Sequence, residues 1–112
     1  MNAGHPPPVL LRSGGSPCLL EDHGLMLGVA AGVRYAATEL ALQTGDILIA
    51  YTDGLTEAVG ADGSLTGLEP VLTHLPRLAS LSAEQIAVEL EEQLLAVAEI
   101  RDDLTIVVIK KA

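Results

Sequence analysis

The sequence predicts an α+β domain with antiparallel strands in its first half, then two helices, then one closing strand. Three features carry that prediction. Short apolar runs broken by proline and glycine fill the first half. The apolar period changes to three and four residues after Gly67, and a last apolar run, Leu104–Ile109, reads as strand again. A chain of 112 residues has room for one domain, which takes in all of residues 1–112.

Val9-Leu10-Leu11 follows Pro6, Pro7 and Pro8, which hold the chain extended and exclude a helix. Ser13-Gly14-Gly15-Ser16 reads as a turn and Pro17–Glu21 as a return strand, so the two runs form a hairpin. Leu25 to Val29 is a short apolar piece with a glycine near its end. Glu39–Leu42 alternates polar and apolar residues as a half-buried strand does. Thr44-Gly45-Asp46 then turns into Ile47–Tyr51, the strongest strand signal in the chain. That run is apolar on both faces, which predicts a central strand covered on both sides.

Leu68, Val71, Leu72, Leu75 and Leu78 recur at helical spacing, with Pro70 acceptable in a first turn; Pro76 leaves the end of this helix open. Ser82 with Gln85 three residues on is a capping-box pattern, and Glu84 suits the positive end of a helix dipole. Ile86, Leu90, Leu94 and Val97 then form one apolar stripe. The closing strand is expected to pair with Ile47–Tyr51, with both helices across one face of the sheet. The opposite face would be left bare, a hint that a partner layer lies outside this chain.

Hydrophobic residues make up 49% of the chain, yet Trp and Phe are missing and Tyr35 and Tyr51 are the only aromatics. The core must therefore be Leu, Val, Ile and Ala, in a domain small enough to be marginal. Fifteen acidic residues against six basic ones give a formal charge of -9, and the only basic cluster is Lys110-Lys111. That balance argues against a nucleic-acid partner and supplies oxygen donors for a hard cation. Cys18 is alone, so no internal disulfide or cysteine-based metal site can form, and its Leu neighbours predict a buried thiol. No apolar run would span a bilayer and Met1–Pro6 has no signal-peptide layout, which predicts a cytoplasmic protein without a membrane segment.

Two acidic spots sit at the ends of the two best strands. Asp53-Gly54 follows Ile47–Tyr51, and Asp102-Asp103 precedes Leu104–Ile109. If those strands are antiparallel neighbours, the carboxylates converge at one edge of the sheet. Converging carboxylates repel unless they share a proton or bind a cation such as Mg²⁺ or Mn²⁺. Each spot is also readable as an ordinary turn, since Asp-Gly is a common turn dipeptide.

Four segments occur in order: Asn2-Ala3-Gly4-His5-Pro6-Pro7-Pro8, Gly45-Asp46, Tyr51-Thr52-Asp53-Gly54-Leu55-Thr56-Glu57-Ala58 and Asp102-Asp103-Leu104-Thr105. Over essentially the whole chain this series resembles the stage II sporulation protein E (SpoIIE) family of bacterial phosphatases, within the PPM-type, or type 2C, superfamily. The resemblance implies a four-layer α-β-β-α sandwich, of which residues 1–112 are the C-terminal portion. It also implies a protein serine/threonine phosphatase with two Mn²⁺ or Mg²⁺ ions, whose activated water attacks the phosphorus of phosphoserine or phosphothreonine directly. By position Asp53 and Asp102 match metal-binding aspartates. Asp103 falls where relatives often carry asparagine, Gly54 allows close backbone approach, and Glu57 is placed to support the site through water. Implied partners are a phosphoprotein, such as an anti-sigma-factor antagonist, and an upstream sensor or receiver domain.

Two departures stand out. His5 occupies a place where many superfamily members carry an aspartate able to bind a third metal; a neutral imidazole there can ligate, position substrate or serve the fold. The upstream Gly-Asp motif, whose aspartate bridges the two metals in relatives, is absent from these residues. An alternative reading is therefore a non-catalytic remnant or interaction module that keeps the fold.

Overall fold

The computed structural model describes residues 1–112. The hairpin forms as expected: β1 (Val9–Leu11) pairs antiparallel with β2 (Pro17–Leu19), Val9 opposite Leu19 and Leu11 opposite Pro17. Its turn closes through the Gly15 N–H donating to Arg12 O at 2.9 Å, with Gly14 in the left-handed region at φ 72°. Pairing stops at Leu19, and one further bond, from Leu20 N–H to Pro8 O, makes the return strand shorter than Pro17–Glu21.

On the other side of β1 lies β3 (Ile47–Tyr51), and beyond it the closing strand, giving a four-stranded antiparallel sheet. Between them in sequence come α1 (Asp53–Thr56), β4 (Val59–Gly60), α2 (Glu69–Leu78), α3 (Ala83–Val97) and β5 (Ala98–Glu99), and the closing strand is β6 (Ile106–Lys110). The sheet order is β2-β1-β3-β6, while β4 and β5 pair as a separate two-stranded ribbon. Ile47 faces Lys110 and Tyr51 faces Ile106, so the two best strands are indeed antiparallel neighbours.

Both helices behave as their residues dictate. Pro70 sits in the first turn of α2, and Val71 and Leu75 are buried. The helix runs on through Pro76, which is exposed, and ends at Leu78. In α3 the Ser82 Oγ accepts from the Gln85 N–H at 3.2 Å, and the Gln85 Oε1 accepts from the Ser82 N–H at 3.0 Å. Losing such an N-cap costs about 0.5–2 kcal/mol. Ile86, Leu90 and Leu94 are buried, but Val97 is 57% exposed because the helix gives way to extended chain at Ala98.

The core has one side. Val9, Leu11, Ile47, Ile49 and Tyr51 meet Val71, Leu75, Ile86, Leu90 and Leu94, joined by Leu55 and Ala58. Cutting Leu75 to Ala removes a fully buried side chain and should destabilise by about 2–5 kcal/mol. The other face of the sheet is only partly covered: Leu48 and Ala50 are half-buried, and Val107 and Ile109 are each 48% exposed. This corrects the expectation that β3 is covered on both sides within this chain, and it bears out the expectation that the face opposite the helices is left bare. An apolar run marks a strand but does not say that both its faces are covered within the same chain. Cys18 lies opposite Leu10 on this open face and is exposed, not buried, because its strand is a sheet edge.

Glu39–Leu42 forms no strand. The segment joins neither free edge of the sheet and crosses the surface instead, where its Ala41 O accepts from the Arg12 side chain at 2.8 Å. The apolar piece from Leu25 to Val29 is likewise exposed and lies in turns. No helix is long and apolar enough to cross a membrane.

Candidate functional site

The C-terminal end of β3 collects three of the four sequence motifs. β3 delivers Thr52 and then Asp53-Gly54, which wind into the single turn of α1. That turn closes through the Glu57 N–H and the Thr56 hydroxyl, both donating to Asp53 O, at 2.8 and 3.1 Å. Because β6 is antiparallel to β3, its approach segment Asp102–Thr105 arrives at the same place. Contact between the two motifs is backbone on backbone at Gly54. A Cβ built on Gly54 would lie against the Asp103 carbonyl oxygen, and 3.1 Å from that of Asp102. Glycine is required here for space, since its φ is not in the left-handed region.

Thr52 fastens the contact. Its N–H donates to Thr105 O at 3.0 Å, its Oγ1 accepts from the Thr105 N–H at 2.9 Å, and its hydroxyl donates to Asp103 O at 3.0 Å. Sequence reasoning missed this residue, for its partners lie more than fifty positions away and nothing local marks it.

The Asn2–Pro8 segment reaches the same end of the sheet by a different route. Asn2 holds the backbone of His5 from both sides: its Nδ2 donates to His5 O, and its Oδ1 accepts from His5 N–H, each at 2.9 Å. Gly4, at φ 90°, makes the turn inside that loop. The Tyr51 hydroxyl, on the last residue of β3, donates to Pro7 O at 2.9 Å and ties the loop down. Burial pushes the Tyr51 phenol above its ordinary value. The His5 Nδ1 is 2.7 Å from Pro6 O. A carbonyl oxygen can only accept, so Nδ1 carries the proton and a neutral ring offers its Nε2 lone pair.

Asp53, Asp102, Asp103 and Glu57 are all exposed. The Asp102 Oδ1 accepts from the Asp103 N–H at 2.7 Å, while Asp53 bonds through its backbone alone. The neighbouring Arg101 turns instead to Glu99 at 3.5 Å. The structure thus brings the Asp53 and Asp102 loops together and sets His5 on a tethered loop at the same end. No group of three or more His, Cys, Asp or Glu side chains converges.

Residues 1–112 match the family described as Stage II sporulation protein E (SpoIIE). The chain belongs to the SpoIIE family. Among SpoIIE-like proteins of known structure, the RsbU and RsbW domains of Rv1364c from Mycobacterium tuberculosis superpose with a TM-score of 0.80 at 28% identity, over 96% of this chain and 30% of theirs. The SiaA-PP2C domain of Pseudomonas aeruginosa gives a TM-score of 0.72 at 24% identity, over 95% of this chain and 43% of that one. The PP2C phosphatase domain of Bacillus subtilis SpoIIE, solved with a fragment of its regulatory domain, gives 0.72 at 23%, over 96% and 32%. At those identities the last two establish the fold, that of a PP2C phosphatase domain. Protein IcfG of Synechocystis sp. is 30% identical over 84 residues, which are 75% of this chain and 13% of IcfG. The chain spans less than half the length of each of these relatives.

Proposed function

We propose that this chain is the C-terminal portion of a metal-dependent protein serine/threonine phosphatase domain, in which Asp53 and Asp102 each contribute a carboxylate to a Mn²⁺ or Mg²⁺ site. One observation carries the reading. Gly54 lies against the Asp102-Asp103 backbone, so the two aspartates stand on loops in direct contact, the Asp53 carboxylate accepting no hydrogen bond and that of Asp102 only one, from the adjacent Asp103 N–H.

The donor set fits a hard cation. Mg²⁺ is commonly held by one or two carboxylates, its remaining positions filled by water and substrate phosphate, and Mn²⁺ favours the same oxygens. Two carboxylates are what Asp53 and Asp102 offer, and no Arg or Lys pairs with either, the neighbouring Arg101 turning to Glu99. When bound, such a cation supplies Lewis acidity toward a phosphoryl oxygen and lowers the pKa of a coordinated water. Gly54 keeps the two loops close enough to share a cation. Asp103 and Glu57 add negative charge at the rim, where Glu57 can act through water. His5 is exposed at this end, and its second ring nitrogen, which makes no hydrogen bond within the chain, could meet a ligand.

The substrate class is a phosphoserine or phosphothreonine protein. The relatives with RsbU, RsbW and SpoIIE in their names support a partner in sigma-factor regulation, such as an anti-sigma-factor antagonist, with a sensor or receiver domain upstream. The cytoplasm is the compartment where such partners meet. The test is Mn²⁺-dependent release of phosphate from a phosphoserine protein by the full-length gene product. Asp53→Asn and Asp102→Asn should each bring release to background; unchanged turnover in both would remove the assignment. The absence of a third converging ligand favours a second reading, an interaction module that keeps the fold without chemistry. A full-length wild type that neither binds Mn²⁺ nor releases phosphate would decide for that module.

A further inference from the structure

The hydroxyl of Thr52 is the one side chain that bridges the loop bearing Asp53 and the loop bearing Asp102, and it both donates and accepts to do so. A hydroxyl has one proton to give and lone pairs to receive. The Thr105 N–H can only donate and the Asp103 carbonyl can only accept, which settles the direction of both bonds. Oγ1 receives from Thr105 at 2.9 Å and donates to Asp103 at 3.0 Å. The two bonds fall on either side of Leu104, so they hold the approach to β6 immediately after Asp102. The regular pairing of β3 with β6 begins only at Tyr51 opposite Ile106. Beyond that pair, the Thr52 N–H to Thr105 O bond is the remaining main-chain link between the strands.

We infer that Thr52 is a positioning residue for the cation site: its hydroxyl fixes the Asp102-Asp103 loop against Asp53-Gly54 and so sets how the two carboxylates are presented. The inference rests on the reading of Asp53 and Asp102 as cation ligands. Partners that orient ligands without touching the metal typically change affinity by about 10–100-fold when removed. Gly54 permits the approach of the loops, but permitting an approach does not hold it; the hydroxyl does.

The experiment uses the full-length gene product with Thr52→Val, which keeps the shape and removes both hydroxyl bonds, and Thr52→Ser, which keeps both bonds. Mn²⁺ affinity is read by calorimetry, and amide hydrogen exchange at Thr105 is read in metal-free protein. Thr52→Val should bind Mn²⁺ about 10–100-fold more weakly and exchange the Thr105 proton faster, while Thr52→Ser stays within about threefold of wild type on both readouts. Should the Val variant not fold, Thr52→Ala takes its place. Wild-type affinity in the Val or Ala variant, alongside loss of binding in Asp53→Asn, overturns the role of Thr52 and leaves the site reading standing. A Ser variant as weak as Val also overturns it, since the hydroxyl would not be the cause. A wild type that binds no Mn²⁺ defeats the site reading and this inference together.

Discussion

At the N-terminal end of β3, Asp46 is 1% exposed and surrounded by donors. Its carboxylate accepts from the backbone N–H groups of Gln43 and Ser13, both at 2.9 Å, and from the Arg12 guanidinium. At the C-terminal end, Asp53 and its neighbour Asp102 are exposed, and only Asp102 receives a hydrogen bond, from the residue beside it. The same side chain thus serves two purposes on one strand. A carboxylate taken out of water has to be met by donors, and once met it is committed to the fold. A carboxylate left in water without donors contributes little to stability and stays available to a cation. The Asp46 end anchors the chain, with Gly45 N–H donating to Lys111 O and Lys111 N–H to Asp46 O, each at 2.9 Å. The Asp53 end carries the proposed cation site.

The sharpest way to break this comparison is to cross the two ends. Asp102→Asn should lower Mn²⁺-dependent phosphate release by about 100-fold or more while leaving the unfolding midpoint almost unchanged, as exposed substitutions do. Asp46→Ala should do the reverse in kind: thermal melting falls clearly, and the molecules still folded bind Mn²⁺ as wild type does. Equal loss of stability in both variants would show that the two ends are not distinct.

A substitution at the contact itself sharpens the account. Gly54→Ala places a methyl against the Asp103 carbonyl, which cannot move without disturbing the Thr52 bonds. Overpacking of this kind costs about 1–3 kcal/mol, measurable by denaturant unfolding, and should also weaken Mn²⁺ binding. A Gly54→Ala protein as stable as wild type would mean the loops are looser than the contact implies.

The third prediction concerns pH. Backbone donors from Gln43 and Ser13, with the Arg12 side chain, hold the Asp46 carboxyl below its ordinary value of 3.8. A depressed folded-state pKa contributes stability that is present above 3.8 and is lost as pH falls through the lower folded value. Wild type should therefore lose stability below about pH 4, and Asp46→Asn should show a flatter acid limb in melts across pH 2–5. An unchanged slope would argue that other carboxylates dominate acid unfolding.

The smallest expected effect belongs to Lys110, at the Asp46 end of β6. Its Nζ donates to Ala79 O and Leu81 O at 2.8 and 2.7 Å, meeting the carbonyls at the end of α2. Lys110→Met should cost about 1 kcal/mol in unfolding free energy and leave Mn²⁺ binding untouched.

What the sequence disclosed follows how local each signal is. The hairpin, the central strand and the capping box of α3 were legible because each is written within a few neighbouring residues. The pairing of Ile47–Tyr51 with the closing strand was expected, and given antiparallel neighbours so was the meeting of the Asp53 and Asp102 loops. Asp46 looked like part of a turn, because two of its partners, Ser13 and Arg12, lie 33 and 34 positions away. Thr52 was silent for the same reason. The strand read into Glu39–Leu42 failed because alternation of polar and apolar residues does not by itself supply a pairing partner; the segment is held instead through Ala41 O by the distant Arg12 side chain. The ribbon of β4 and β5 is too short to leave any period in the sequence.

The central claim is that Asp53 and Asp102 together hold a divalent cation, and a Mn²⁺ titration by calorimetry tests it most directly. Wild type, Asp53→Asn, Asp102→Asn and Asp46→Asn forms of the full-length gene product would be compared at neutral pH. Saturable binding is expected in wild type and in Asp46→Asn, with its loss in both of the other variants. Undiminished binding in Asp53→Asn and Asp102→Asn would contradict the claim.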